Sequence, residues 1–380
     1  MKVIFIQPAQ FLRSKDKTNP YFDPIIRCAG EDWMVWLPQC ELSACGYQAG
    51  HVRCYGAFQF WSIWFWRAVH IVCPWLSVAR VHWLFGKLAR PFLRDWAEAD
   101  IIITITGIFA DELAGAFPDK RIVDVQHGVI YSRHNGYFNK DGSVLPQYRA
   151  YTNREFWTAG TGYAACFFKN SQNKKWLDGR VKVIGDLLSE SRSREVVNYD
   201  GHRTSIAVSL QFTHDFGRDV LQSWADDLCA VFEQIEAAGL QKRYSVVMRH
   251  HPRFGNSFDM GPMMKRFPWL KLTSESTNEL IQKAAYHITY MSTSAFEYAA
   301  AGVPTLFTAS EKNRSAVDMM YGEFGYPIPL DFHQMAMALE DEQELARQGE
   351  QVRNWYQRCY KPFDTEDCAR LLRGEALICV

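Results

Sequence analysis

Two short stretches hold the residues best suited to gripping an anion. The first, SVVMRHHPRF, is an apolar run that ends in Arg249, His250, His251, Pro252 and Arg253. The second, HITYMSTSAFEYAAAGVPTLF, passes from an apolar run through Ser292, Thr293 and Ser294 into a helical pattern carrying Glu297, then a Gly302-Val303-Pro304 turn. Each reads as a buried strand whose carboxyl end delivers cations or hydroxyls. Ligands of open α/β sheets bind at such ends, and free N–H groups there suit a phosphate. The pair is therefore expected to cradle a nucleotide mono- or diphosphate.

Two further positions could do chemistry. His127 follows the run Ile122 to Val125 and precedes Gly128, so its imidazole is expected at a strand end facing the crevice. Asp215, in the loop LQFTHDFG, follows the first strand of the second half of the chain. Its carboxylate could cap the next helix, hold a substrate hydroxyl or attack an anomeric carbon. Ser294 and Glu297 also have a plainer reading, because Ser-x-x-Glu is a capping box in its own right. Ser276 and Glu279 repeat that spacing, and there the capping reading is preferred. No metal is expected: no DxD has suitable surroundings, and the cradle already supplies positive donors to the leaving phosphate.

The elements that must position these groups follow from periodicity. KVIFI, WMVWLP, ADIIITITG, RIVDV and VKVIG read as strands of one half; TSIAVSLQ, YSVVMRH, LKLT, HITYM and TLF as strands of the other. Helical patterns alternate with them, including Arg218 to Ala238 ended by Gly239. The polar stretch up to Asp32, with Pro20 and Pro24, reads as a loop. From Phe156 to Asp186 the order reads as turn, buried strand, polar helix and strand. Strand and helix in alternation predict an α/β chain of two Rossmann-like, doubly wound parallel-sheet domains. Their expected bounds are 1–187, a polar linker 188–203, 204–334, and a helical strap 335–380.

Composition narrows the class. The 380 residues suit two domains, and 42 basic against 42 acidic residues give no general case for nucleic acid. The ten cysteines form no CxxC pair, so they are expected to be reduced thiols in a cytoplasmic protein rather than zinc ligands. No GxGxxG follows the first strand, which argues against a dinucleotide-dependent dehydrogenase. One block stands out. Leu42 to Arg94 contains no Asp or Glu, while Arg53, Arg67, Arg80, Lys87, Arg90 and Arg94 are interleaved with Trp61, Trp64, Trp66, Trp75 and Trp83. Its longest uncharged run, Cys54 to Trp66, is too short to span a bilayer. It is either a pair of core helices with snorkelling basic ends or a surface for anionic headgroups.

The RHHP run, the strand TYMSTS, the helix with Glu297 and the Gly-Val-Pro turn resemble the second domain of GT-B glycosyltransferases. VQHG and the VKVIG strand resemble the first domain of those that build bacterial capsule and lipopolysaccharide. The HP pair followed by a Ser/Thr run is similar to enzymes using CMP-activated acidic sugars, the sialyltransferases and Kdo transferases. A clear sialyltransferase-type Asp-Asp/Glu-Gly base motif is absent from the first domain, which favours the Kdo side. The resemblance implies an active-site crevice between the domains, and Arg249, His251, Ser292, Thr293 and Ser294 at the donor phosphate. It further implies Glu297 at ribose, Asp215 as nucleophile of a retaining mechanism, and His127 as base for a glycan or lipid-linked glycan acceptor. CDP-alditol polymerases, UDP-sugar 2-epimerases and a non-catalytic glycan-binding module share the architecture and remain alternatives. Peripheral contact with the inner membrane is expected of a lipid-linked acceptor; no nucleic-acid partner is.

Overall fold

The computed structural model describes residues 1–8, 11–12, 16–189, 203–212, 217–251, 258–308, 310, 314–327 and 331–375, without the side chains of residues 316, 319 and 320. They form two compact units, one of residues 1–190 with 360–380, the other of 191–359. The expected linker 188–203 lies almost wholly outside the described residues.

The first unit is built on seven parallel strands. They are β1 (Val3–Ile6), β2 (Trp33–Leu37), β3 (Val52–Cys54), β4 (Ile101–Ile105), β5 (Arg121–Val125), β6 (Arg154–Thr158) and β7 (Val181–Val183), in the order β3-β2-β1-β4-β5-β6-β7. β1 and β4 are buried along their whole length, as a parallel strand covered on both faces must be. One face packs Phe5, Phe22, Ile25, Ile103 and Trp157 with Cys368, Leu371 and Leu372. The other packs Ile4, Ile6, Trp96, Ile102, Leu113 and Phe117. Helix Thr365–Leu372 is tied to this unit because Arg121 donates from Nη1 to the Leu372 carbonyl and from Nη2 to that of Leu371, both at 2.9 Å.

Three local expectations are corrected. The segment before Asp32 holds a helix, Asp23–Ala29, because Pro24 sits in its first turn, where the missing N–H costs nothing. Over 154–168 the order is strand, then helix Thr161–Phe168; a continuous apolar run does not distinguish a buried strand from a buried helix. β3, three residues long, lies inside the basic aromatic block and carries no period of its own.

The block is otherwise helical, as expected. Helix Gly56–Val72 lays Phe58 and Phe65 against Phe85, Trp96 and Phe109. Helix Val78–Ala89 crosses helix Ala110–Ala116 at backbone contact, through Gly86 and Gly115. Between them Glu112 Oε1 accepts from Ser62 Oγ at 2.8 Å and lies 2.7 Å from His82 Nδ1. Burial disfavours a charged His82 more than any other single influence, but the bond to Glu112, its charge and that of Asp111 together outweigh it and the net shift is upward. A Cβ at Gly86 would stand 1.8 Å from the Glu112 carbonyl oxygen, and one at Gly115 2.1 Å from that of Trp83. Alanine gains about 1 kcal/mol of helix propensity but forces the backbones apart, at roughly 1–3 kcal/mol or more. Gly86→Ala and Gly115→Ala are each expected to lower the urea midpoint; a wild-type midpoint in both would show that the crossing is looser than this.

The second unit carries β8 (Ser205–Ser209), β9 (Ser245–Arg249), β10 (Lys271–Thr273), β11 (Ala284–Thr289) and β12 (Thr305–Phe307). All are parallel, in the order β10-β9-β8-β11-β12. The strand order reverses between β8 and β11. Helix Arg218–Ala237 buries Leu221, Trp224, Leu228, Phe232 and Ile235 at helical spacing, and Gly239 ends it in the left-handed conformation.

Candidate functional site

Arg249, Ser209 and Thr289 are the last residues of β9, β8 and β11, and they lie in one row. Ser209 is registered against Arg249 on one side and Thr289 on the other. This row stands at the carboxyl edge of the second sheet, at the point where its strand order reverses. Arg249, half-buried, donates from Nη1 to Thr277 Oγ1 at 3.0 Å. His251 is half-buried two residues past the strand end, whereas Pro252 and Arg253 lie outside the described residues.

Hydroxyls converge on the same row. Thr289 Oγ1 donates to the Ser209 carbonyl at 2.9 Å. Ser294 Oγ lies 2.8 Å from Ser292 Oγ and 3.1 Å from Ser209 Oγ. The loop is pinned where Tyr321 Oη donates to the Ser292 carbonyl. Thr293 is half-buried and Glu297 half-buried on helix Ser294–Ala300. Thr293 holds the cap position of that helix, without a side-chain cap bond, and Ser294 is already inside it. The Ser276–Glu279 capping box does form, with Glu279 N–H donating to Ser276 Oγ at 3.3 Å and Ser276 N–H to Glu279 Oε2 at 2.7 Å. Of the two Ser-x-x-Glu motifs, one closes its helix and the other aims its serine at the strand ends.

Behind the hydroxyls stands a residue that sequence reasoning passed over. His287, in the middle of β11, is fully buried. Its Nε2 is 2.8 Å from Ser209 Oγ and its Nδ1 3.0 Å from Thr305 Oγ1, and the Tyr298 ring stacks on it at 3.8 Å. Burial alone pushes its pKa down to about 3, so the imidazole is neutral. A neutral ring has one donor and one acceptor, so it donates to one of Thr305 and Ser209 and accepts from the other, in a chain that continues from Ser209 through Ser294 to Ser292. The arrangement can hold O–H groups ready for an anion beside Arg249 without a second buried charge. A histidine inside an otherwise apolar strand was the available signal, since a buried ring must find two partners.

In the first unit His127 is exposed just past the end of β5, with its carbonyl held by Tyr21 Oη at 3.1 Å and Phe11 against its ring. Buried Gln126 fixes the turn, donating to the Gly128 carbonyl at 2.6 Å and accepting from the Ala159 N–H at 2.9 Å. Asp124, inside β5, accepts the Gly107 N–H at 2.8 Å and so ties down the loop after β4, in which Thr106, Gly107 and Phe109 all have positive φ. Burial raises the Asp124 pKa to about 6, partly offset by Arg154. Arg154 is itself paired with Asp111 at 2.7 Å. These buried charges hold the loop at the carboxyl edge of β4 and β5. Asp215 lies outside the described residues; the helix that follows it is capped by Gly217. Among the described residues no group of three or more His, Cys, Asp or Glu is placed to hold a metal ion.

No protein-family model matches the sequence, and no curated protein matches it. Solved structures do match its fold. The wall teichoic acid polymerase TagF, in a variant soaked with CDPG, aligns over 98% of this chain and 88% of its own, with a TM-score of 0.56 and 13% identity. The UDP-GlcNAc 2-epimerase from Neisseria meningitidis bound to UDP-GlcNAc aligns over 98% and 99%, with a TM-score of 0.55 and 10% identity. The glycosyltransferase SnogD from Streptomyces nogalater aligns over 98% and 100%, with a TM-score of 0.53 and 14% identity. Together with the two parallel sheets, this makes the architecture that of a GT-B protein. Identity at this level speaks for the fold and leaves the chemistry to the site.

Proposed function

We propose that the chain is a glycosyltransferase that moves an acidic sugar, Kdo, from a CMP-activated donor to a glycan of lipopolysaccharide or capsule, carried on a lipid. The observation that carries this reading is the row of hydroxyls on Ser292, Ser294 and Ser209 beside Arg249 at the switch point of the second sheet. Such a row suits one phosphate, the leaving group of a CMP-sugar. In this scheme Arg249 and His251 carry the positive charge, Ser292, Thr293 and Ser294 supply donors, and Glu297 holds ribose. No metal ion is required to offset the phosphate that leaves.

The transfer proceeds in two displacements. A carboxylate oxygen of Asp215 forms a bond to the anomeric carbon while the bond to the CMP phosphate breaks, its electron pair going to phosphate. The acceptor hydroxyl then displaces Asp215 and its proton passes to His127. A ketose donor favours this route, because its tertiary anomeric centre ionises readily.

A second reading is supported by the likeness to TagF: a polymerase using a CDP-linked alditol, which shares the cytidine but presents a diphosphate. An epimerase acting on a UDP-sugar has similar support. A thermal-shift panel of CMP, UMP, UDP, GDP and ADP separates the cytidine readings from the epimerase, and incubation with CMP-Kdo against CDP-glycerol, followed for transfer, separates the first two. A ligand at 100 times its Kd adds about 2.7 kcal/mol of stability, enough to move the midpoint by several degrees. CMP is expected to give the largest shift, and His251→Ala to remove it with the unliganded midpoint unchanged. Equal shifts from UDP or GDP, or a His251→Ala protein that still responds to CMP, would count against the CMP-sugar assignment.

A further inference from the structure

Helix Gly56–Val72 buries one residue completely, Ser62, although most of its side chains are apolar. Phe58, Ser62, Phe65 and Val69 recur at helical spacing and form its inner stripe. On the opposite face fall Phe60, Ile63, Trp64, Arg67 and Ile71, with Trp61 at the flank. Trp61 is 62% exposed and Ile71 83%. The exposed apolar surface continues through the turn to the next helix, with Val72, Trp75 at 76% and Val78. Phe60 packs edge-on against Trp61, so the rings form a patch rather than scattered residues. Patches of this kind on a folded protein mark an interaction surface.

We propose that the helical pair Gly56–Val72 and Val78–Ala89 lies in the headgroup layer of an anionic bilayer, with Phe60, Trp61, Trp64, Ile71 and Trp75 in the acyl boundary. Charge selects this occupant. Leu42 to Arg94 has no acidic residue in a chain whose charges otherwise balance, and Arg53, Arg67, Arg80, Lys87, Arg90 and Arg94 are all exposed. Arg67 stands within the apolar face itself. A protein partner has to supply a buried carboxylate there, whereas a bilayer supplies phosphates to which the side chain can snorkel. Tryptophan suits the same layer, with an apolar body and one N–H. The helix lies on the membrane and does not cross it. Seventeen residues reach about 25 Å, against roughly 30 Å of hydrocarbon, and no described helix is long and apolar enough to span.

This inference holds whichever nucleotide fills the second unit, and its test needs none. Sedimentation of the full chain with phosphatidylglycerol/phosphatidylcholine vesicles at low ionic strength is expected to carry protein into the pellet. Brominated acyl chains are expected to quench its tryptophan fluorescence. Arg67→Gln and Arg94→Gln should each weaken binding about fivefold and leave the remaining binding less sensitive to salt. A Trp61→Ser, Trp64→Ser, Trp75→Ser triple variant, with unchanged circular dichroism, should lose at least tenfold and lose the quenching. Absence of pelleting at low salt overturns the proposal, as does a triple variant that binds like wild type. So does a concentration-dependent dimer that the triple variant dissociates while neither protein binds vesicles, since a second copy then covers the patch.

Discussion

Asp215→Asn is expected to abolish sugar transfer while leaving CMP binding intact. The loop that holds Asp215 leaves β8, whose last residue, Ser209, is the centre of the hydroxyl row, so it starts at the carboxyl edge of the sheet. The helix after it is capped at Gly217, two residues further on, so Asp215 does not occupy the position from which a side chain caps. That disfavours the helix cap among the three roles open to the carboxylate, and the nucleophilic role proposed above is the one the variant tests. Asparagine keeps the shape and removes the nucleophile, so transition-state stabilisation should fall with ground-state binding unchanged. Intact-mass analysis of wild type after incubation with CMP-Kdo should show a fraction heavier by one sugar. If the variant keeps more than about a tenth of the wild-type rate, a loss under about 1.4 kcal/mol, Asp215 is not the nucleophile.

The second large effect is on stability in acid. His287 has a folded pKa of about 3 against 6.5 for a free side chain, and desolvation is the cause. A group whose folded pKa is depressed contributes stability that is full above 6.5 and is lost as pH falls toward 3. The difference amounts to about 5 kcal/mol across the window, of which about 3 is gone by pH 4. Amide exchange in Ser205–Ser209 and Ala284–Thr289 should therefore quicken sharply between pH 7 and pH 4, after correction for intrinsic rates. His287→Gln cannot titrate, and one of its amide groups can still reach Ser209. The variant should be less stable than wild type at pH 7 but show a flatter pH dependence. Parallel pH profiles for the two proteins would mean that acid enters through another group.

Much of this was legible from residue order, for reasons that differ by element. Strands such as Val3–Ile6 and Ile101–Ile105 are buried on both faces, so they stand out as apolar runs broken only at Thr104, whereas the strand read over HITYM starts at Ala284, in residues assigned to the preceding helix. Proline punctuation misled at Pro24, which begins a helix instead of preventing one. In the candidate site, Arg249 and the Ser292 to Ser294 run drew notice in the sequence because such groups are costly to bury without partners. Ser209 and His287 did not. Each sits inside or at the end of an apolar strand, and only pairing β8 with β11 brings them within 2.8 Å of one another. Motif spacing alone also left the two Ser-x-x-Glu boxes indistinguishable; the difference between them is which strand end lies within reach.

The first unit is discontinuous in the chain, and this matters during synthesis. Its strands are all made by residue 183, but Cys368, Leu371 and Leu372, which pack on Phe5, Phe22 and Ile25, belong to a segment that follows the entire second unit. Residues 191–359 intervene, and at roughly 5–20 residues per second a ribosome spends on the order of ten to thirty seconds on them. For that interval the nascent first unit carries an uncovered apolar face and a guanidinium, Arg121, whose two carbonyl acceptors at Leu371 and Leu372 have not been translated. The part of the chain that emerges first is thus the last to be completed, and chaperone demand falls on its amino-terminal half.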